Sequence, residues 1–212
     1  MSKSIFTDNT LIKIIELGLS YWIKKQCKRI NQVNIDLKGL KFGVNNCILS
    51  KAYLKAFSID FKDILISEIA LEATNLSFSL NIRGPIKNAI VINKKFEVKA
   101  NIKLKANQIK STLESKNWHW LNQWFEDNLL NGKKISEIKM DDDMFIIVTA
   151  DEYKLNNAVK KYYIEANEGD LHFIDSENSL DYIFPIEESI YINNASTNKD
   201  LMSISLTSNV IS

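Results

Sequence analysis

Few side chains of this sequence are suited to acid–base or nucleophilic chemistry. The two histidines are His119 and His172. His119 stands between two tryptophans, a setting that suits a general base in an apolar pocket, but no nucleophile motif lies near it. We therefore interpret His119 as an amphipathic side chain at the start of a helix. His172 precedes Phe173 in a predicted strand, and we expect it on the solvent-facing side.

Two acidic runs were considered as metal or proton-transfer sites. Hard divalent cations favour clustered carboxylates such as residues 141–143, but this run lacks the spaced oxygens of a calcium loop, which favours a solvated hairpin turn. Glu187 and Glu188 are neighbours in an extended segment, so their side chains point apart. The sequence has no phosphate loop, dinucleotide fingerprint or nucleophile elbow. We predict no catalytic residue, no metal site and no cofactor, and an enzyme is the less favoured class.

The two cysteines, Cys27 and Cys47, are too few and too far apart for a zinc site or a redox motif. We expect two free thiols in a reducing compartment. A disulfide between them is the alternative.

A basic cluster lies at the end of the first predicted helix and consists of Lys24, Lys25, Lys28 and Arg29. One interpretation is a contact for anionic lipid headgroups, to which each charge contributes about 1 kcal/mol near such a surface. The alternative is that cations simply complement the dipole at the end of a helix. The four tryptophans also fall in predicted helices, where they suit either a lipid interface or the core; for Trp22 the core is preferred.

The helix that would position these groups is predicted over residues 8–30. Its polar residues Lys13, Glu16 and Ser20 share one narrow face. The apolar arc around the rest of the helix is wider than one flat sheet can cover, so the helix needs a curved sheet or a membrane around it. This arc consists of Leu11, Ile12, Ile14, Ile15, Leu17, Leu19, Trp22 and Ile23.

Alternating apolar and polar residues predict strands over most of residues 32–106. Residues 96–106 show the clearest pattern, with one dry and one solvated face, as in an antiparallel sheet covered on one side. The period changes to that of helices over residues 107–130, where Leu121 and Phe125 are four apart. Strands return over residues 134–208, with hairpin turns at residues 141–143 and 167–170.

These elements predict one elongated α+β domain over residues 1–212, in which a long, strongly curved antiparallel sheet wraps around the apolar N-terminal helix and the second helical segment. The formal net charge of +1 argues against a nucleic-acid partner. Long uncharged apolar runs and an export signal are both lacking in the sequence. We therefore expect a cytoplasmic protein that is peripheral to a membrane.

The opening segment LIKIIELGLSYWIKKQCKRI followed by VNIDLKG resembles the cyanobacterial branch of the LmeA-like phospholipid-binding proteins. The segments NLSFSLN, KKFEVKANIKLKANQIKSTLESKNW and DLHFID resemble the same family, so the resemblance extends to about residue 175. It implies a fold related to tubular lipid-binding domains, with a helix cradled by a curved sheet around an apolar cavity. It also implies phospholipid binding without established catalytic residues.

The leading hypothesis is therefore non-enzymatic binding of a phospholipid or fatty acyl ligand at a membrane surface, in a cavity between the first helix and the sheet. The candidate lipid-binding residues are Leu11, Ile15, Leu19, Trp22, Trp118, Leu121 and Phe125, and the candidate headgroup residues are the four of the basic cluster. The second hypothesis is a structural or assembly protein whose apolar groove binds a partner helix. The third is an enzyme acting on a lipid or ester through His119.

Overall fold

A computed structural model describes residues 5–42, 47–80, 90–92, 95–150 and 158–210. The first half of the chain forms one helix and five strands. These are α1 (Ile5–Gln26), β1 (Gln32–Phe42), β2 (Cys47–Phe61), β3 (Ile64–Leu80), β4 (Ile90–Ile92) and β5 (Phe96–Lys105). The sequence also predicts turns at residues 43–46, 83–85 and 93–95; of these, residues 43–46, 83–85 and 93–94 lie outside the described residues.

The second half begins with the helical segment and ends in strands, as the change of period predicts. Its helical elements are α2 (Ala106–Leu113), a 3₁₀ turn (Lys116–Trp118), α3 (His119–Trp124) and a π-helical turn (Phe125–Leu129). Its strands are β6 (Lys134–Asp141), β7 (Met144–Ala150), β8 (Ala158–Asn167), β9 (Asp170–Asp175), β10 (Asp181–Ile183), β11 (Ile190–Asn198) and β12 (Leu201–Val210). The short strands β4 and β10 were not predicted.

The predicted α+β class is confirmed, but the strands form two antiparallel sheets instead of one. The large sheet has seven strands in the order β1-β2-β3-β5-β12-β11, with β4 paired to β3. The small sheet is a meander in the order β10-β9-β8-β7-β6. Strand alternation could not reveal this division, because it defines which face of a strand is buried and not which strands pair.

The large sheet has one apolar and one polar face. On the apolar face Leu54 pairs with both Ile35 and Leu71. On the polar face the carboxylate of Glu68 binds Lys55 at 2.9 Å and Lys103 at 3.1 Å. The hydrogen bonds from Lys55 and Lys103 lower the pKa of Glu68. The dry and wet faces predicted for β5 are therefore continuous across neighbouring strands.

The main core fills the space between the small sheet, the helical segment and the β12–β11 end of the large sheet. Its centre is aromatic, and Phe145, Tyr162 and Phe173 are all buried. The Tyr162 hydroxyl donates a hydrogen bond to the Leu129 carbonyl, which ties the π-helical turn to β8. Burial and, to a smaller extent, the negative charge of Asp175 raise the pKa of Tyr162. The helical segment is thus fixed against the small sheet.

Helix α1 lies along the outer strand β1 of the large sheet. The backbone amide of Leu37 donates a 2.9 Å hydrogen bond to Glu16 Oε1. Glu16 therefore lies on the side of α1 that meets the sheet, where Ile15 and Leu19 are also half-buried, whereas Leu17 and Trp22 are exposed. The expectation of a sheet wrapped around α1 is corrected: the helix borders the sheet, because its carboxylate meets an edge amide. None of the described helices is long and apolar enough to cross a bilayer.

Replacement of Gly169 by alanine is expected to lower the free energy of unfolding by about 2 kcal/mol. Gly169 has φ of +98° in the β8–β9 turn, and an added Cβ would lie 2.5 Å from the Tyr191 ring. Gly132→Ala is the matched control, since Gly132 has φ of +79° and no atom within 4 Å of the added Cβ. Urea unfolding should show a smaller loss, about 1 kcal/mol, for that control. Equal losses would contradict a role for Tyr191.

Candidate functional site

An apolar cavity of about 190 Å³ lies within the main core, where the two sheets face the helical segment. Its wall from the large sheet is formed by Ile64, Leu65, Leu104, Met202 and Ile204. The helical segment contributes Ile109, Thr112, Leu113, Trp118, Leu121 and Phe125. The remaining wall consists of Phe145, Leu171, Phe173 and Phe184. Thr112 is the one polar residue among these, so the cavity suits a hydrocarbon group.

Helix α2 is held over the cavity by side chains that bond the large sheet. Gln108 Oε1 accepts hydrogen bonds from the Lys105 amide at 3.0 Å and from the Ser67 hydroxyl at 2.6 Å. Thr112 Oγ1 accepts a 3.0 Å bond from the Leu65 amide. These bonds satisfy polar groups that would otherwise oppose an apolar ligand. The wall made by α2 is therefore fixed in place.

Part of the cavity wall is formed by aromatic rings packed edge to face. The Phe173 ring lies 5.4 Å from that of Phe145 and 5.6 Å from that of Phe125, between centroids. Trp124 packs on Phe125 at 5.4 Å and on Phe184 at 5.5 Å. Rings in such contacts fill space rigidly. The cavity is thus a defined gap in a well-packed core.

The outer end of the cavity lies beside the turn that joins β2 to β3. Partly exposed Trp118 lines the cavity and donates a 2.9 Å hydrogen bond from Nε1 to the Lys62 carbonyl. Asn117 Nδ2 donates a 2.7 Å bond to Asp63 Oδ2. Lys28, which follows α1, forms a 3.6 Å ion pair with Asp63. We call the groups joined here (Lys28, the β2–β3 turn and Trp118) the rim.

Cations outnumber carboxylates at the rim. Lys28, Arg29, Lys62 and Lys116 are exposed. The nearby carboxylates are Asp63, which binds Lys28, and Glu114, which binds Lys110; Asp60, whose backbone pairs with that of Arg29, is buried. Burial and, to a smaller extent, the negative charge of Asp60 raise the pKa of the Cys27 thiol. The exposed part of the rim therefore favours an anion.

The structure brings together only some of the predicted lipid-binding residues. Trp118, Leu121 and Phe125 line the cavity. Ile15, Leu19 and Trp22 of α1 are not among the lining residues, and Trp22 is exposed where the core was preferred. The side chain of Leu11 lies outside the described residues. The described cavity is therefore next to α2 and α3, and not between α1 and the sheet as expected.

The four residues of the basic cluster are also divided by the structure. Lys28 and Arg29 lie at the rim, where they contact Asp63 and Asp60. Lys24 and Lys25 lie in the last turn of α1, and Lys25 Nζ is 4.8 Å from the centre of the Tyr21 ring. Of the four residues, Lys28 therefore belongs to the rim and Arg29 is its neighbour in the chain.

Several lining residues were not identified from the sequence. Phe145 and Phe173 come from strands of the small sheet, and Phe184 follows β10. Their alternation within strands indicates burial, but nothing in the spacing shows that they face the helical segment. In the sequence, only the aromatic character of these residues indicates that they belong to the core near the cavity.

The groups with possible catalytic chemistry are not among the residues that line the cavity. His119 is exposed, and its ring has no hydrogen-bond partner within the described part of the chain. The prediction for His172 is wrong: it is buried in the inner strand β9, and its Nδ1 lies 2.8 Å from Asp181 Oδ2. Cys27 and Cys47 are free thiols. Residues 141–143 form an exposed hairpin turn, and the described residues hold no cluster of three metal-binding side chains.

No protein-family model, curated protein or solved structure matches the chain.

Proposed function

We propose that the protein binds an acyl-chain lipid without catalysis, at a membrane surface, with the hydrocarbon in the apolar cavity and an anionic headgroup at the rim. The observation that carries this function is the 190 Å³ gap lined almost wholly by apolar side chains. Interiors of proteins are close-packed, and gaps larger than a water molecule are few. A sizeable gap that adjoins a basic rim therefore favours an amphiphilic ligand.

The size of the cavity limits how much hydrocarbon it can hold. An apolar cavity of about 150 Å³ takes up a benzene-sized ligand, so 190 Å³ suits the end of one acyl chain. Burial of about six methylene groups would contribute roughly 5 kcal/mol. By itself this corresponds to a Kd of about 0.2 mM, so contacts of the rest of the lipid outside the cavity must supply the remaining affinity.

The rim supplies the contact for the polar end of the ligand. Lys28, Arg29 and Lys62 are exposed beside Trp118, and Lys116 begins the 3₁₀ turn that carries this tryptophan. A phosphate or carboxylate here could bind lysine and arginine side chains through charge-assisted hydrogen bonds. The segments that resemble LmeA-like phospholipid-binding proteins support a phospholipid or fatty acid as the ligand.

Filling the cavity tests this function. Ile109→Phe places a ring in the existing gap and is expected to weaken binding of a fluorescent fatty acid at least about tenfold, without loss of thermal stability. The control, Ile183→Phe, adds the same ring at an exposed position that does not line the cavity. Native mass spectrometry of gently purified wild type should show a bound lipid. Absence of both lipid and fatty-acid affinity in the wild type, or equal weakening by both variants, would contradict the proposal.

An assembly protein that binds a partner helix is the second candidate. The observation that favours it is the exposed row of Ile14, Leu17 and Tyr21 on α1, whose spacing matches a helix-packing face. The lysines around this row, however, favour an anionic lipid surface over a protein helix as its partner. Chemical cross-linking to one protein partner, in preparations that lack lipid, would support the assembly role.

A further inference from the structure

The side of α1 that points away from the sheet carries a row of large apolar side chains. Leu17 is 71% exposed, Tyr21 62% and Ile14 59%, and Trp22 beside them is 53% exposed. We call these four residues the outer row. A surface helix normally buries its large apolar side chains against the core. In α1 Ile15, Leu19 and Ile23 are half-buried in this way, but the outer row remains uncovered. A contiguous exposed apolar patch of this kind marks an interaction surface.

From residue 10 onward, the exposed charged side chains of α1 are all positive. Lys13, Lys24 and Lys25 are exposed on α1. Glu16 is the only carboxylate from residue 10 to the end of the helix, and it is engaged with the Leu37 amide. The exposed surface of this part of α1 therefore combines leucine, isoleucine and aromatic rings with lysines, and it shows no free carboxylate.

We propose that α1 docks with its outer row on an anionic lipid bilayer. An interfacial helix buries apolar and aromatic side chains at the headgroup boundary while its lysines meet anionic lipids. Tyrosine and tryptophan favour this boundary because their rings are apolar at one side and polar at the other. Pairing of two copies through the same row would instead bring their lysines together. Such docking deepens the membrane contact of the proposed function and rests on it.

Docking in this orientation would also place the cavity near its source of ligand. Lys28 follows α1 by two residues and binds Asp63 of the rim at 3.6 Å. The C-terminal end of α1 therefore lies close to the turn that adjoins Trp118, and a bilayer docked on this helix would lie on the same side of the protein as the rim. The helix supplies attachment, and the rim receives the lipid.

Vesicle flotation tests this inference, with vesicles of equimolar phosphatidylcholine and phosphatidylglycerol compared with phosphatidylcholine alone. Leu17→Glu should weaken binding to the anionic vesicles by roughly tenfold. The matched control is Leu180→Glu, which adds the same charge at a leucine that is 53% exposed in a loop. Lys24→Glu with Lys25→Glu should weaken binding at least about tenfold, whereas Lys133→Glu with Lys161→Glu changes net charge equally and should weaken it less.

Each variant is first checked for native circular dichroism and for fatty-acid binding in solution. Retained fatty-acid binding with lost vesicle binding, for the α1 variants only, supports docking through the outer row. Equal effects of the α1 and control variants, or wild-type binding that does not depend on phosphatidylglycerol, would overturn it. The inference would also be overturned if the wild type self-associated without binding vesicles and Leu17→Glu abolished that self-association. If the wild type did not bind fatty acid at all, the proposed cavity function would be contradicted instead. Failure of the docking inference and failure of the cavity function are therefore distinguishable.

Discussion

Replacement of Phe173 by alanine is expected to lower the free energy of unfolding by about 3–5 kcal/mol. Phe173 is 1% exposed. Its ring packs against those of Trp124, Phe125, Phe145, Tyr162 and Phe184. The variant loses these contacts and also enlarges an existing gap, since Phe173 lines the cavity. Urea unfolding measured by circular dichroism, with the slope fixed to that of the wild type, gives the loss.

The control for this prediction is Phe61→Ala, because the Phe61 ring is partly in solvent at the β2–β3 turn. Its loss should stay below about 1 kcal/mol. A bound ligand that fills the enlarged gap should restore part of the stability of the Phe173 variant. A loss below 1 kcal/mol at Phe173 would show that the aromatic cluster is not the centre of the core.

The second large effect is expected at Asp175, where Asp175→Asn should cost about 2 kcal/mol at neutral pH. The carboxylate is 3% exposed. Burial alone would raise its pKa, but the Glu177 amide, which donates at 2.8 Å, and Lys160 at 3.4 Å outweigh burial and lower the pKa. The neutral asparagine keeps one acceptor for the amide and loses the attraction to Lys160.

The cost of Asp175→Asn should depend on pH in a defined direction. A carboxylate whose folded pKa is lowered stabilises the fold above its ordinary pKa of 3.8, and this contribution is lost as pH falls through the lowered value. The difference between the two proteins in urea unfolding should therefore be constant near pH 7 and shrink below about pH 4. Glu177→Gln is the control, since that exposed partner of Lys160 should contribute less than about 0.5 kcal/mol. A pH-independent difference at Asp175 would refute the role of its charge.

Local elements of the fold were predictable because the burial of a strand or helix leaves a periodic pattern. The strand predicted over residues 96–106 is β5, Phe96–Lys105, and the 167–170 turn is the tight connection between β8 and β9. The helical segment was predicted from the four-residue spacing of Leu121 and Phe125. These features depend on neighbours in the sequence, which is where periodicity carries information.

The arrangement of the elements was not predictable in the same way. The arc of α1 predicted that something apolar must cover it, but not that Glu16 would turn toward β1 and leave Leu17 outside. His172 was placed in solvent because strands often have one wet face, whereas β9 lies between β8 and β10 and is buried on both faces. Trp118 of the helical segment lines the same cavity as Phe173, which comes from a distant strand. Such pairings are set by the tertiary fold.

The bond between Glu16 and the Leu37 amide has a consequence for aggregation. The outermost strand of an open sheet offers unpaired backbone groups on which strands of other molecules can assemble. In this protein a helix occupies that border at β1, and its carboxylate takes one of the amides at 2.9 Å. The helix that we propose docks on the bilayer therefore also shields this edge of the sheet from strand addition, so its loss would favour fibre-like association as well as weaken the proposed attachment.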